Sequence, residues 1–315
     1  MTFWHYLAKR LVYALPVFLG ISLVVFSLIH LIPGDPAIAL LGDVATDEEI
    51  QALRQEWNLD KPLYEQFGIW IWHVLQGDLG RSLYTNQPVS EIIASRLPVT
   101  AILSAISLVV SLIIAIPAGI LSALKRNSLT DHIARIVALL GVSIPNFWLG
   151  IIFIIIFAVY LRWLPPGGFH FDKGFWAGME GMILPAGALG AAYAAITMRM
   201  VRSSMIEVLR QEYIETARAK GLSERQVIRR HAIKNAIIPT ITVIGMQIGY
   251  LLSGAVLTET VFFMPGVGRE LITALAKRDF PIIQGLILFF AAVFVVTSLI
   301  VDLSYAFLNP KIEYS

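Results

Sequence analysis

Six long apolar runs separated by shorter polar segments set the pattern of this chain. They cover residues 11–32, 99–124, 133–161, 183–200, 237–257 and 282–308. Each comes close to or exceeds the roughly 20 residues that a helix needs to cross a bilayer. The runs are continuous rather than alternating, which predicts membrane-spanning helices and not the strands of a barrel. The fourth is the shortest and is rich in Ala and Gly (LPAGALGAAYAAI), a composition that suits close helix contact inside a bundle. The first is read as a retained span rather than a cleaved signal peptide. Its apolar core is too long, and Pro33-Gly34-Asp35-Pro36 follows it where a small-residue cleavage site would stand.

The polar segments orient the spans. With the N-terminus inside, segments 1–10, 125–135, 199–234 and 309–315 are cytoplasmic and hold fifteen Lys/Arg, against nine in the external segments 33–97, 162–182 and 260–280. An even number of spans returns the C-terminus to the cytoplasm. Segment 33–97 carries ten Asp/Glu and is the only soluble piece large enough to fold on itself. Thr46 before Asp47-Glu48-Glu49 predicts a capped helix to about Trp57. Asp60 and Pro62 start a second, whose apolar face holds Leu63, Phe67, Trp70, Ile71, Val74 and Leu75 before Gly77. Gly77-Asp78-Leu79-Gly80 reads as a tight turn. Trp70, Trp72, Trp148 and Trp163 suit interfacial belts.

Composition agrees with the pattern, at 57% hydrophobic residues and a mean hydropathy of +0.73. The net charge of +2 says little about partners, since the asymmetry between the two sides is what matters, and no nucleic-acid partner is expected. The absence of cysteine excludes disulfides, thiol catalysis and cysteine metal sites. No phosphate-binding loop of the G-x-x-x-x-G-K-S/T kind occurs, so any ATP and Mg are expected in partner subunits. The six His are scattered, and no catalytic, cofactor or metal residues are assigned. His30, at a span end, is read first as a packing residue and second as a pathway residue. Mid-span positions carry no Asp, Glu, Lys or Arg, which counts against a stand-alone ion-coupled transporter or channel, the alternative class. Pro117, Pro145 and Pro185 lie within or at the edges of spans, as tolerated kinks or as hinges.

Two polar connections carry the functional reading. Residues 212–239 read EYIETARAKGLSERQVIRRHAIKNAIIP, within a stretch from Arg199 to Lys234 that holds nine Lys/Arg and four Glu. The pattern predicts two short helices with a left-handed turn at Gly221, the second opened by Ser223 with Gln226 three residues on. A basic helix–turn–helix between spans is a docking surface for a soluble partner. In the second connection, 259–281, Pro265, Gly266, Val267 and Gly268 form a turn, and Arg269 to Lys277 a short helix. It is read as part of an external gate, with Pro265, Gly266, Gly268 and Arg269 as its residues, or as an interfacial anchor.

Glu215, Ala217 and Gly221 resemble the Glu-x-Ala-x-x-x-Gly motif of ABC-importer permeases. YIETARAKGL followed by HAIKNAIIP is similar to the peptide and nickel branch, with Lys234 where the wider family has a helix-breaking Pro, and Pro239 later. That shift leaves the end of the second helix open. PGDP (33–36), GDLGRS (77–82), LGVSIPNFWLG (140–150) and ETVFFMPGVGRELI (259–272) further resemble the B-type permease of dipeptide, oligopeptide, glutathione and nickel importers, over nearly the whole chain. The resemblance implies an all-α, type I importer permease of the bacterial inner membrane. Its parts are a first span in 1–32, an external helical segment 33–97, and a five-helix core 98–315 with a coupling loop at 201–239. It further implies a second, homologous permease subunit, two ATPase subunits, and an external substrate-binding protein. Glu215, Ala217, Arg218, Lys220, Gly221, Leu222 and Ser223 become the ATPase-coupling residues. Peptide is the expected cargo and nickel or a metal chelate the alternative, with no substrate-binding residues assigned.

Overall fold

The computed structural model describes residues 3–31, 37–38 and 45–308, and the PGDP run and the last seven residues lie outside that range. Every regular element among the described residues is helical. The described residues form two compact units: 3–97 with 270–295, and 98–269 with 296–308.

In the first unit, α1 (Phe3–His30) continues through Pro16. The capped helix follows as α2 (Asp47–Glu56). Its capping box is formed, with Glu49 N–H donating to Thr46 Oγ1 at 3.3 Å and Thr46 N–H to the Glu49 carboxylate at 2.9 Å. Then α3 (Leu63–Leu75) runs from Pro62 to Gly77, whose φ is +83°. The face α3 buries differs in part from the expected one. Gln66 is buried, and Phe67 and Trp70 pack on Phe26 of α1 with ring centroids 5.4 and 5.7 Å away. Leu63 and Leu75 instead stay exposed. The register is fixed by a polar contact: His30 Nε2 and Gln66 Oε1 lie 2.9 Å apart, so His30 is a packing residue. A hydrogen-bonding pair inside an otherwise apolar contact costs too much to leave unmade, so it rotates α3 away from its purely apolar face.

The GDLGRS run belongs to the same unit. Gly80 N–H donates to Asp78 Oδ1 at 2.9 Å, closing the expected turn. Ser82 Oγ then donates to Asp279 Oδ2 at 2.6 Å, and Tyr84 Oη donates to the Lys277 carbonyl at 2.6 Å.

The second unit contains most of α4 (Val89–Leu124), followed by α5 (Leu129–Ser143) and α6 (Asn146–Phe153), which widens into a π-turn at Ile154–Tyr160. The third apolar run is therefore not one straight span. It bends by 103° at Ile144-Pro145, because a proline in this position cannot donate the backbone bond that would join the two helices. The two halves nevertheless follow α7 (Phe175–Val208) in one direction. Asp131 meets Arg202, Gly141 faces Ala195, Gly150 lies near Ala188, and Phe153 lies near Gly187. A re-entrant loop would double back along α7, so the pair is one broken span.

The shortest apolar run became the central helix of the second unit. Two-thirds of the apolar window of α7 is buried, against 22–39% for the other straight spans. Its Ala and Gly positions allow close approach: a Cβ at Gly190 would stand 2.8 Å from the Ser107 carbonyl of α4. Outward positions such as Ile113, Val137 and Trp163 remain apolar and exposed, as a membrane-embedded surface requires.

Candidate functional site

After α7 the chain turns through Leu209–Gln211 into α8 (Glu212–Ala219). Ile214 and Ala217, one turn apart, are buried in a cluster with Ala123, Val201, Met205, Val227, Ala232 and Ala236. This inner face fixes α8 on the ends of α4 and α7. The helix closes as a Schellman motif: Gly221 N–H donates to the Arg218 carbonyl at 2.9 Å, and Leu222 N–H to the Ala217 carbonyl at 3.4 Å. Gly221 has φ +79°, the left-handed backbone the spacing predicts. Leu222 packs beside Ala217 on the same cluster, the apolar contact that accompanies the motif.

Ser223 then opens α9 (Glu224–Gln226), and its N–H donates to Gln226 Oε1 at 3.0 Å, half of a complete capping box. The second helix does not end where the sequence left it open. It widens into a π-turn at Val227–Ala232 and runs on as α10 (Ile233–Gly254), with Pro239 inside the helix. The π-turn inserts a residue into the ladder, and the buried Val227, Ala232 and Ala236 hold the chain on α8 while the span continues. The helical element at 212–232 thus passes directly into a membrane span.

The predicted coupling residues separate into two groups. Ala217, Gly221, Leu222 and Ser223 build the element. Arg218 makes a two-pronged ion pair with Glu224 across the turn, at 2.7 and 3.1 Å, and that carboxylate pushes the guanidinium pKa further up. Glu215 and Lys220 are exposed, and the Glu215 carboxylate accepts no hydrogen bond among the described residues. These two are presented outward, Glu215 within electrostatic reach of Arg218.

The 259–281 connection is a second built element. A one-and-a-half-turn helix, α11 (Val256–Val261), precedes α12 (Val267–Lys277). Glu259 is fully buried and caps α12 from outside. Its Oε2 accepts the Arg269 N–H at 2.9 Å, the Gly268 N–H bonds the same carboxylate, and Thr100 Oγ1 donates to Oε1. This cap is why the helix starts at Val267, two residues earlier than expected. Two of the candidate gate residues have a steric reason to be glycine. A Cβ at Gly266 would stand 2.3 Å from the Glu259 carboxyl, and one at Gly268 would stand 2.6 Å from Val256 Cα. Arg269 donates to the Phe263 carbonyl at 2.8 Å and lies over the Phe263 ring. The apolar residues of this element belong to a different cluster from the one that holds α8.

Sequence reasoning missed one centre. Asp131 of α5 is fully buried. Arg202 of α7 grips it with two bonds, at 2.7 and 2.9 Å, Ser122 Oγ donates at 2.6 Å, and the Asn127 N–H donates at 2.9 Å. The pair joins the α4–α5 hairpin to α7. Asp131 lies 71 positions from Arg202, and nothing local marks the two as partners.

Comparisons with known proteins agree with this architecture. Residues 115–314 match the family described as binding-protein-dependent transport system inner membrane component, and residues 3–104 match its N-terminal family. The chain is 43% identical to the dipeptide transport system permease protein DppB of Alkalihalophilus pseudofirmus, covering 98% of this chain and 99% of the relative. It is 42% identical to the glutathione transport system permease protein GsiC of Escherichia coli, with 98% and 99% covered. Among solved structures, an inward-facing MetNI methionine ABC transporter aligns with TM-score 0.56 at 17% identity, over 69% of this chain and 96% of that one, a likeness of fold. Five helices long and apolar enough to cross a membrane, one bent pair, and family matches along nearly the whole length place this chain among the inner membrane components of binding-protein-dependent transport systems, as a transport subunit of a multi-pass membrane protein family.

Proposed function

We propose that this chain forms half of the translocation pathway of a peptide importer. It pairs with a second, homologous permease and couples to two ATPase subunits, while an external binding protein delivers the peptide. Both termini face the cytoplasm, on the side where Lys and Arg concentrate. Relatives at 41–43% identity named for dipeptide, glutathione and peptide transport support peptide cargo.

The carrying observation is the coupling element: an exposed Glu215 on a short helix anchored by Ile214 and Ala217 and continuous with α10 through one Schellman turn. A force on α8 is transmitted to the span because the turn has few soft dihedrals. ATP-driven closure of the ATPase pair moves α8 and reorients the pathway. The Pro265–Arg269 element, rigid around the Glu259 cap, serves as the external gate.

The test is Glu215→Lys in the assembled transporter, reading dipeptide uptake and ATP hydrolysis together. Uncoupled hydrolysis or loss of ATPase association is expected, since a lost charge-assisted contact removes about 1.5–3 kcal/mol. Normal uptake with an intact complex would remove the coupling role.

A further inference from the structure

A groove of about 700 Å³ lies between α5 and α7, with Val243 of α10 at its wall. Arg135, Leu139 and Val142 line it from α5, at i, i+4 and i+7, and Ile196, Arg199 and Ser203 line it from α7 at matching intervals. The two helices run antiparallel, so chemistry is graded along the groove. The arginines stand at the span ends, beside the Asp131–Arg202 pair. Leu139, Val142, Ile196 and Val243 stand toward the bilayer interior. Seven residues separate Arg135 from Val142, which is about 10 Å of helix.

The charge balance selects the occupant. Asp131 is fully buried and spent on Arg202, Ser122 and Asn127, so its carboxylate is closed to the groove. Arg135 is exposed; it touches His132 Nδ1 at 2.6 Å and its Nε stands 3.8 Å from Asp131 Oδ1, a long contact to a carboxylate that Arg202 already neutralises, and Arg199 is exposed with no side-chain hydrogen bond among the described residues. The groove therefore offers cationic donors and apolar walls but no acid for a ligand amine. A zwitterionic peptide would leave its amine unmatched. A second copy of this chain about a two-fold axis would set arginine against arginine. An amphiphile with an anionic head and a hydrocarbon tail satisfies both ends. Basic pockets between spans at the membrane surface hold lipid headgroups in this way.

We propose that the groove between α5 and α7 binds one acidic phospholipid, with its phosphate on Arg135 and Arg199 and an acyl chain along Leu139, Val142 and Ile196. The lipid would brace the bent α5–α6 span against α7. Arg202 is left to its structural pairing with Asp131.

The test uses the full chain in mild detergent, with native mass spectrometry counting retained dioleoyl phosphatidylglycerol and dioleoyl phosphatidylcholine. One phosphatidylglycerol is expected to remain bound at about tenfold lower lipid concentration than phosphatidylcholine. Arg135→Gln with Arg199→Gln should weaken that binding at least about tenfold, the loss of one charge-assisted contact or more. Ile196→Trp, which fills the tail end without altering charge, should weaken it as well and decides the matter if the double variant fails to fold. Equal retention of the two lipids, or undiminished retention in these variants, would overturn the proposal. Displacement of the lipid by millimolar inorganic phosphate would reduce the site to an anion site. Loss of the lipid on assembly with a second permease would assign the groove to that partner. Either result also overturns it.

Discussion

Replacement of Gly221 isolates one physical effect. Its φ is +79°, and a Cβ built on it meets nothing within 4 Å. Crowding therefore contributes nothing, and the cost is that of left-handed backbone alone. For an L-residue that cost is about 1–2 kcal/mol. Asn adopts the region more readily, and a β-branched residue least of all. A substituted chain has a second option, to relax φ and abandon the Schellman closure. That forfeits the 2.9 Å bond to Arg218 and the longer 3.4 Å bond to Ala217, at about 0.5–1.5 kcal/mol for a sound hydrogen bond. Both routes cost about the same, and the second also re-aims α9 and α10 relative to α8. The expected order is Gly221→Asn near the parent, Gly221→Ala about fivefold weaker in ATPase association, and Gly221→Val weaker by tenfold or more. Titration of the ATPase subunit against the permease in nanodiscs reads the association, and peptide uptake reads the coupling. A Val variant that binds and transports like the parent, or an Asn variant worse than Val, would refute the reasoning.

Three further outcomes are expected. Asp131→Ala leaves the partly exposed Arg202 without its partner and should destabilise the fold by about 1.5–3 kcal/mol, while the double change Asp131→Leu with Arg202→Met should recover most of it in thermal unfolding. Burial raises the Glu259 carboxyl above its ordinary value against the opposing pull of Thr100 and the α12 N–H groups. The folded state therefore favours the protonated form, and the penalty of ionisation, present above the folded pKa, fades as pH falls toward the ordinary 4.5. Wild-type protein should accordingly gain stability on acidification relative to Glu259→Gln, and parallel melting curves for the two would contradict this. Trp70→Ala should cost about 2 kcal/mol, less than a full core truncation because the ring is half-buried against Phe26 and Phe67, with protease sensitivity at 47–75 as the readout.

Much of this protein follows from local pattern. Apolar runs long enough to span a bilayer must become helices, because every backbone N–H and C=O needs a partner inside the chain segment itself. Thr46 with Glu49, Ser223 with Gln226, and Gly221 each act within three or four residues, so caps and turn were legible where they occur. The inner face of α8, Ile214 with Ala217, was not read from the spacing and emerged only with its packing on α4 and α7.

Tertiary structure decided what depends on residues far apart in sequence. Pro145 marked a kink, but only contact with α7 shows one broken span rather than a loop that turns back. The shortest run was marked in the sequence only by its Ala and Gly content, whereas its role as the central helix of the second unit comes from how little side chain it has. Glu259 drew no assignment from its sequence position, yet its carboxylate caps a helix that begins eight residues later. That cap gives Gly266 and Gly268 their steric reason to lack side chains. Asp131 and Arg202 carried no local signal, since an ion pair is specified by distance in space and the fold alone brings those two positions together.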